Sequence, residues 1–534
     1  MTTEDELISR SIASENVIPP VQQPEATTSS QGLHDASINS GFPGSTSEES
    51  KKRKPSGRDN WVKNWDQKRT KREDYGIPRE PRRPKKKVAC LIGYCGTGYH
   101  GMQLNPPNRT IEGDLFDAFV KAGAISKDNS DDPRKSSLQR SARTDKGVHA
   151  AGNLISLKLI VEDADILEKI NSYLPATIRL WGFTPSIRSF NCHTNCDSRV
   201  YEYLLPSHSF LPPRPTSTFA QFIISQNKDA GKPIQNWGGH DTSQFWDQVD
   251  VKILQISEEE IAAEEARIQS AVEEHGTQTH QVNARERIIR KLEMKEKRTF
   301  RITPERMQIV RDGFSQYLGS HNFHNFTVGM EYRNESARRF MKKITVSDPH
   351  NIDDTEWISV KIHGQSFMLH QIRKMVAMVV MIVRSGCPEN RISEAYRPPK
   401  LAIPKAPGLG LLLERPIFEG YNKKATDNGR EKIDFDQHDD QIEAFKQKHI
   451  YDKIYAEEKK ENMYATRYIW RSDSRFHIFL SGLDSFPGFP YLTANGFPRT
   501  METKAEELTL PGADDEEQAQ DESDLKRPRE EFEG

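Results

Sequence analysis

The motif RTDKGVHA, Arg143 to Ala150, sets Asp145 between a cation and a glycine, on a short turn between two strand-like runs. A carboxylate has no redox chemistry. It can attack an electrophilic carbon or take a proton, provided a positive group keeps it ionised. Asp followed by Lys-Gly is also an ordinary turn, so the motif gains meaning only from its surroundings. Tyr201 stands in an alternating strand pattern, where an aromatic usually belongs to the core. Arg373 has Ile372, Met375, Val376 and Val379 around it on a helix, and an arginine on such a face needs a carboxylate partner. His321, His324 and the Cys192/Cys196 pair carry metal-ligating side chains, but the C-x₃-C spacing comes with neither C-x₂-C nor H-E-x-x-H.

The elements that must carry these residues alternate between strand and helix. Lys86 to Cys95 reads as a strand, and Thr110 to Gly123 as a helix with an N-cap threonine and Ile111, Leu115, Phe116 and Phe119 at helical spacing. Strands over Ser137–Ala142 and His149–Ile160 flank the Asp145 turn, followed by a helix over Asp163–Tyr173 and a strand over Ile178–Thr184. This β-α-β-β-α-β order predicts a split βαβ, ferredoxin-like unit. A second unit follows, with strands over Arg199–Leu205, Phe219–Ile224, Phe340–Val346, Trp357–His363 and Gly408–Glu414. Its helices open at Thr303-Pro304 and run from Leu369 to about Ser385. The fold class expected is α+β: two tandem ferredoxin-like halves sharing one antiparallel sheet, helices on one face, and a central cleft.

The chain has 534 residues, 35% hydrophobic and 29% charged, with a mean hydropathy of −0.77. Charge is segregated. Residues 1–50 hold one Arg against eight acids, 51–87 hold sixteen Lys or Arg against five, and 501–534 hold four against thirteen. Such blocks bury too little apolar surface to offset backbone entropy, which predicts disordered ends. The organisation expected is an acidic then basic arm over 1–85 and an N-terminal half over 86–195 carrying the Asp motif. A C-terminal half over 196–420 follows, with a charged helical insertion at 226–300, then a helical extension over 421–499 and an acidic tail over 500–534. KKRK (Lys51 to Lys54) and RRPKKK (Arg82 to Lys87) read as nuclear import signals or phosphate-binding patches. The longest apolar run, Met375 to Val383, is too short to span a bilayer, and the first residues lack the apolar stretch of a secretory signal. Five cysteines give no disulfide framework, so a reduced intracellular setting is expected.

Six strings occur in order: YCGTGYHGMQ (Tyr94 to Gln103), SARTDKGVHA, FNCHTNCDSRVYEYLLP (Phe190 to Pro206), HNFHNF, GQSFMLHQIRKMV (Gly364 to Val376) and APGLGLLLE (Ala406 to Glu414). Together they resemble the TruA family of tRNA pseudouridine synthases, and within it the eukaryotic nuclear, fungal-type branch. The resemblance implies an isomerase that turns uridine into pseudouridine without a cofactor. Asp145 would be its nucleophile, Tyr201 the ring that packs on the base and removes the C5 proton, and Arg373 the ion-pair partner of Asp145. It also implies RNA contacts by Arg143, His149, Tyr99, Gln103 and Lys146, with Arg143 displacing the target base. A structural zinc without assigned ligands is a further implication. The substrates implied are tRNA at the anticodon stem and loop, including intron-containing precursors, and beyond it U2 snRNA and mRNA, in the nucleus. An RNA-binding protein on the same scaffold, or a metal-dependent nuclease, are the competing classes.

Overall fold

The computed structural model describes residues 83–461, apart from 217–219, 222–223, 225–239, 276–282, 387–388, 399–400, 402 and 404. The arm expected over 1–85 (but for its last three residues), KKRK, the acidic tail and the extension beyond 461 lie outside the described residues.

The first half runs β1 (Lys86–Tyr94), α1 (Ile111–Lys121), β2 (Gln139–Arg140), β3 (His149–Leu159), α2 (Ile166–Tyr173) and β4 (Ile178–Pro185). Its spatial strand order is β4-β1-β3-β2. Every residue of β1 from Val88 on is buried, as a strand covered on both faces requires. At the start of α1, Thr110 Oγ1 accepts the Gly113 N–H at 3.3 Å.

The second half runs β5 (Ser198–Pro206), α3 (His240–Leu254), α4 (Glu258–His275), α5 (Ala284–Thr299), α6 (Pro304–Ser315), β6 (Gly319–Asn322), β7 (Arg338–Val346), β8 (His350–Ile352), β9 (Thr355–Gly364), α7 (Gln371–Ser385) and β10 (Leu411–Ile417). Its strands lie in the order β10-β5-β9-β7-β6. Followed through β5, α6, β7, β9, α7 and β10, the chain repeats the connectivity of the first half. The two halves meet where β10 runs parallel to β3, with Leu412 opposite His149 and Leu413 opposite Ala150, and antiparallel to β5, with Leu413 opposite Tyr201. This register brings Tyr201 two strands away from the start of β3, just past the Asp145 turn.

Of the strand expected over Phe219–Ile224, the described residues Ala220, Gln221 and Ile224 are helical; a short apolar run does not distinguish the two by periodicity. The charged insertion forms α3 to α5 and is anchored to the core. Trp246 is buried, its indole N–H donates to Pro212 O at 3.1 Å, and Arg214 lies 5.3 Å over its ring. Glu264, buried on α4, takes Arg287 and Lys291 of α5 at 2.9 and 2.7 Å.

After β10 come α8 (Glu419–Asp427), α9 (Asp439–Phe445), a π-helical turn (Lys446–Tyr451) and α10 (Asp452–Glu461). Helices on one face alone therefore describe only the two α/β halves, because this extension covers the reverse face. Side chains alternate along a strand, so Glu202, next to Tyr201, points the other way. There Glu202 accepts from Tyr451 OH at 2.7 Å and from the Ser359 hydroxyl, and Lys446 Nζ lies 3.8 Å from it and 3.2 Å from Glu414.

Candidate active site

The loop from Ser141 to Val148 is held by a series of hydrogen bonds to the elements around it. Ser141 Oγ donates to Asn153 Oδ1 at 2.8 Å, and Asn153 Nδ2 donates to Ala142 O at 3.0 Å. Thr144 Oγ1 pairs with Tyr94 OH at 2.9 Å, and Thr144 O accepts the Met102 N–H at 3.1 Å. The Val148 N–H closes a turn on Asp145 O at 3.1 Å, with Gly147 at φ +77° supplying the left-handed position. Gly96 packs so tightly beneath that a Cβ there would lie 2.1 Å from Val148 O. So fixed, the loop presents an Asp145 side chain that is still 30% exposed.

The second half supplies what faces it. His370 Nδ1 lies 3.0 Å from Asp145 Oδ2. Arg373, 2% exposed in the first turn of α7, donates its Nε–H to Ala406 O at 2.7 Å, and the Ala406 N–H donates to Arg373 O at 3.0 Å. Tyr201 is 7% exposed on β5, its ring edge-on to Phe367 at 5.1 Å between centroids.

Burial works to raise the Asp145 carboxyl, but the His370 charge and hydrogen bond, then Arg373 and Lys405, outweigh it and hold the group below its ordinary value. Tyr201 moves the other way: burial is the main cause, and with the Asp145 charge it pushes the phenol up to about 12 against a lesser opposing effect of Arg199. The arrangement is an ionised, partly exposed carboxylate beside a neutral aromatic ring, under more positive charge than it neutralises.

Asp145, Tyr201 and Arg373 thus converge from a loop, a strand and a helix, Arg373 acting on Asp145 through its charge. Two of the expected RNA contacts are buried. His149 is fully buried, with Nδ1 accepting the Gly96 N–H at 3.1 Å, and burial pulls it down to about 4. Tyr99 is 4% exposed, and its hydroxyl donates to Asp114 at 2.7 Å with Arg109 stacked 4.7 Å over its ring. Tyr99 also holds the loop through its backbone, its carbonyl oxygen accepting the Gly147 N–H at 3.2 Å. Lys146 is exposed at the loop tip, and Arg143 and Gln103 are half-buried beside it.

The expectation of zinc finds no support. Among the described residues, no three His, Cys, Asp or Glu side chains gather as metal ligands. Cys192 is buried against Ser156, Cys196 Sγ donates to Ser198 O at 3.3 Å, and His321 stacks on Tyr396 at 4.3 Å. The residue missed in the sequence is His370. It lies three positions before Arg373 in a motif already singled out, and that i, i+3 spacing at a helix start was its only signal.

Two like halves share one sheet, with a carboxylate at their seam, in an α+β architecture whose candidate site lies at the junction. A family model described as tRNA pseudouridine synthase matches residues 314–419. The tRNA pseudouridine synthase 1 of Schizosaccharomyces pombe is 42% identical over 83% of this chain and 92% of its own length. That of Saccharomyces cerevisiae is 51% identical over 68% of this chain and 67% of its own. The tRNA pseudouridine(27/28) synthase of the same yeast is 38% identical over 62% of this chain and 85% of its own. The chain belongs to the TruA family of tRNA pseudouridine synthases, isomerases that convert uridine to pseudouridine in RNA and need no cofactor for that reaction.

Proposed function

We propose that Asp145 is the catalytic carboxylate of this isomerase and that its targets lie in the anticodon stem and loop of tRNA, including intron-containing precursors. The observation that carries the reading is the His370–Asp145 contact at 3.0 Å, which ties an accessible, ionised carboxylate of one half to the other half. The target base must first leave its stack, at a cost of about a few kcal/mol that RNA contacts offset. Arg143 and Lys146, on the loop itself, are the cations nearest in sequence to take phosphate or fill the vacated stack. Asp145 then stabilises or bonds to the sugar as the N-glycosidic bond breaks. The uracil turns, C5 joins C1′, the C5 proton leaves and N1 gains one, so nothing is consumed.

Tyr201 serves as the platform for the turning base. With its hydroxyl near 12, phenolate amounts to about one molecule in 10⁵ at pH 7, which favours stacking over proton removal.

The same chemistry extends to U2 snRNA and mRNA wherever a uridine can be extruded from comparable structure, and the protein works in the nucleus. KKRK is the better import signal. In the second cluster Arg83 is paired with Asp163 at 2.7 Å, and Lys87 lies within β1 and donates to Ser137 O at 3.1 Å. Mapping pseudouridine across cellular RNA with and without this protein tests the substrate range. Sites should vanish from tRNA anticodon stems first, and unchanged tRNA maps would overturn the reading. Neutral residues at Lys51 to Lys54 should move the protein to the cytoplasm.

A further inference from the structure

We propose that His370 is a positioning residue for the Asp145 carboxylate: its ring N–H holds one carboxylate oxygen and leaves the other to the substrate sugar. The proposal rests on the reading of Asp145 as the catalytic group.

Three observations carry it. First, His370 sits at φ +59°, ψ +7°, a left-handed conformation that a residue with a Cβ keeps only where its surroundings enforce it. Second, the position is the N-cap of α7, normally filled by Ser, Thr, Asp or Asn to accept a helix N–H, yet the His370 side chain makes no such bond. That work falls to its neighbours: the Gln371 N–H donates to Met368 O at 3.1 Å, and Gln371 Oε1 accepts the Met368 N–H at 2.9 Å. The imidazole is spared for another purpose. Third, the ring is only 6% exposed and points at a group 225 residues away in sequence. An ionised carboxylate offers acceptors only, so Nδ1 must carry the hydrogen. The other charged or titratable groups around Asp145 are Arg373 from α7, Lys405 from the segment before β10, Tyr201 from β5, and Arg143 and Lys146 from its own loop. The charges of Arg373 and Lys405 favour the anion, whereas the His370 N–H at 3.0 Å adds a direction.

The test separates the ring from the backbone it stands on. In the full-length protein, His370→Gly keeps the left-handed turn and deletes the donor, and His370→Asn keeps both, since asparagine tolerates this conformation and places an amide N–H near the site of Nδ1. The Gly variant should bind tRNA as the parent does, with KM nearly unchanged and kcat lower by about 10- to 100-fold, the effect of losing one hydrogen bond to a charged group. Its acid limb in kcat should move to higher pH, because a cause that lowers the Asp145 carboxyl is gone. The Asn variant should recover most of kcat, and added imidazole should restore part of it to the Gly variant. A Gly variant with kcat within about twofold of the parent and an unmoved acid limb would overturn the proposal. If the Gly variant does not fold, His370→Asn and His370→Asp decide: equal turnover overturns the proposal, and an active Asn beside an inactive Asp supports it. Loss of activity in Asp145→Asn with normal His370 variants rejects this proposal and leaves the role of Asp145 standing.

Discussion

Tyr201 and Glu202 are neighbours on β5 and face two different kinds of charged cluster. On the reverse face, Glu202 and Glu414 are 4% and 12% exposed and share Lys446, with hydroxyls on Glu202 and a second lysine on Glu414. On the other face, Asp145 keeps 30% exposure and lies under His370, Arg373 and Lys405. The first cluster pairs its charges within the protein, although Glu414 Oε2 is buried without a hydrogen bond, and it fastens the C-terminal extension to the sheet. The second leaves cationic potential and a reachable oxygen. Carboxylates opposite cations are common to both, and what marks the site is a carboxylate that solvent and substrate can reach.

The comparison breaks most visibly at Lys446. Lys446→Met takes the shared cation from buried Glu202 and half-buried Glu414, and the expected loss is about 3 kcal/mol of stability, read as a lower denaturant midpoint, with kcat per folded molecule little changed. A large fall in kcat without loss of stability would mean that the reverse face takes part in the chemistry.

A smaller effect is expected at Tyr201. If the ring is a platform, Tyr201→Phe should keep kcat within about threefold, whereas a phenol that moves the C5 proton would cost about 10²–10⁴-fold on removal.

The smallest effect is a flat region. The Asp145 carboxyl lies below its ordinary value near 3.8, so it stays ionised at every pH above about 5, and a kcat/KM profile should show no limb from it between about pH 5 and 8. The linked stability runs the same way: its contribution is complete above the unfolded-state value and is lost as pH falls through the folded one.

Much of this was legible in the sequence where the signals are local. The Asp145 loop announced itself through Gly147, the α1 cap through Thr110, and the repeated strand-helix order through apolar periodicity. The seam was not, because pairing β10 with β3 joins residues some 260 positions apart and leaves no local pattern. His370 escaped for the same reason: histidine is a poor N-cap by type, and its partner is in the other half. The burial of His149 and Tyr99 is not legible either, because within a motif a residue packed inside and one that meets a ligand outside look alike. The helices of the insertion follow from its charged pattern, but its anchoring through Trp246 depends on Pro212 and Arg214, which that pattern does not encode.

The account turns on one oxygen pair, and Asp145→Asn tests it with almost no change in volume. Pseudouridine formation in a tRNA transcript, followed beside tRNA binding and thermal unfolding, should fall by at least about 10⁴-fold while affinity and Tm stay near those of the parent. Turnover preserved in that variant would contradict the assignment of the catalytic carboxylate.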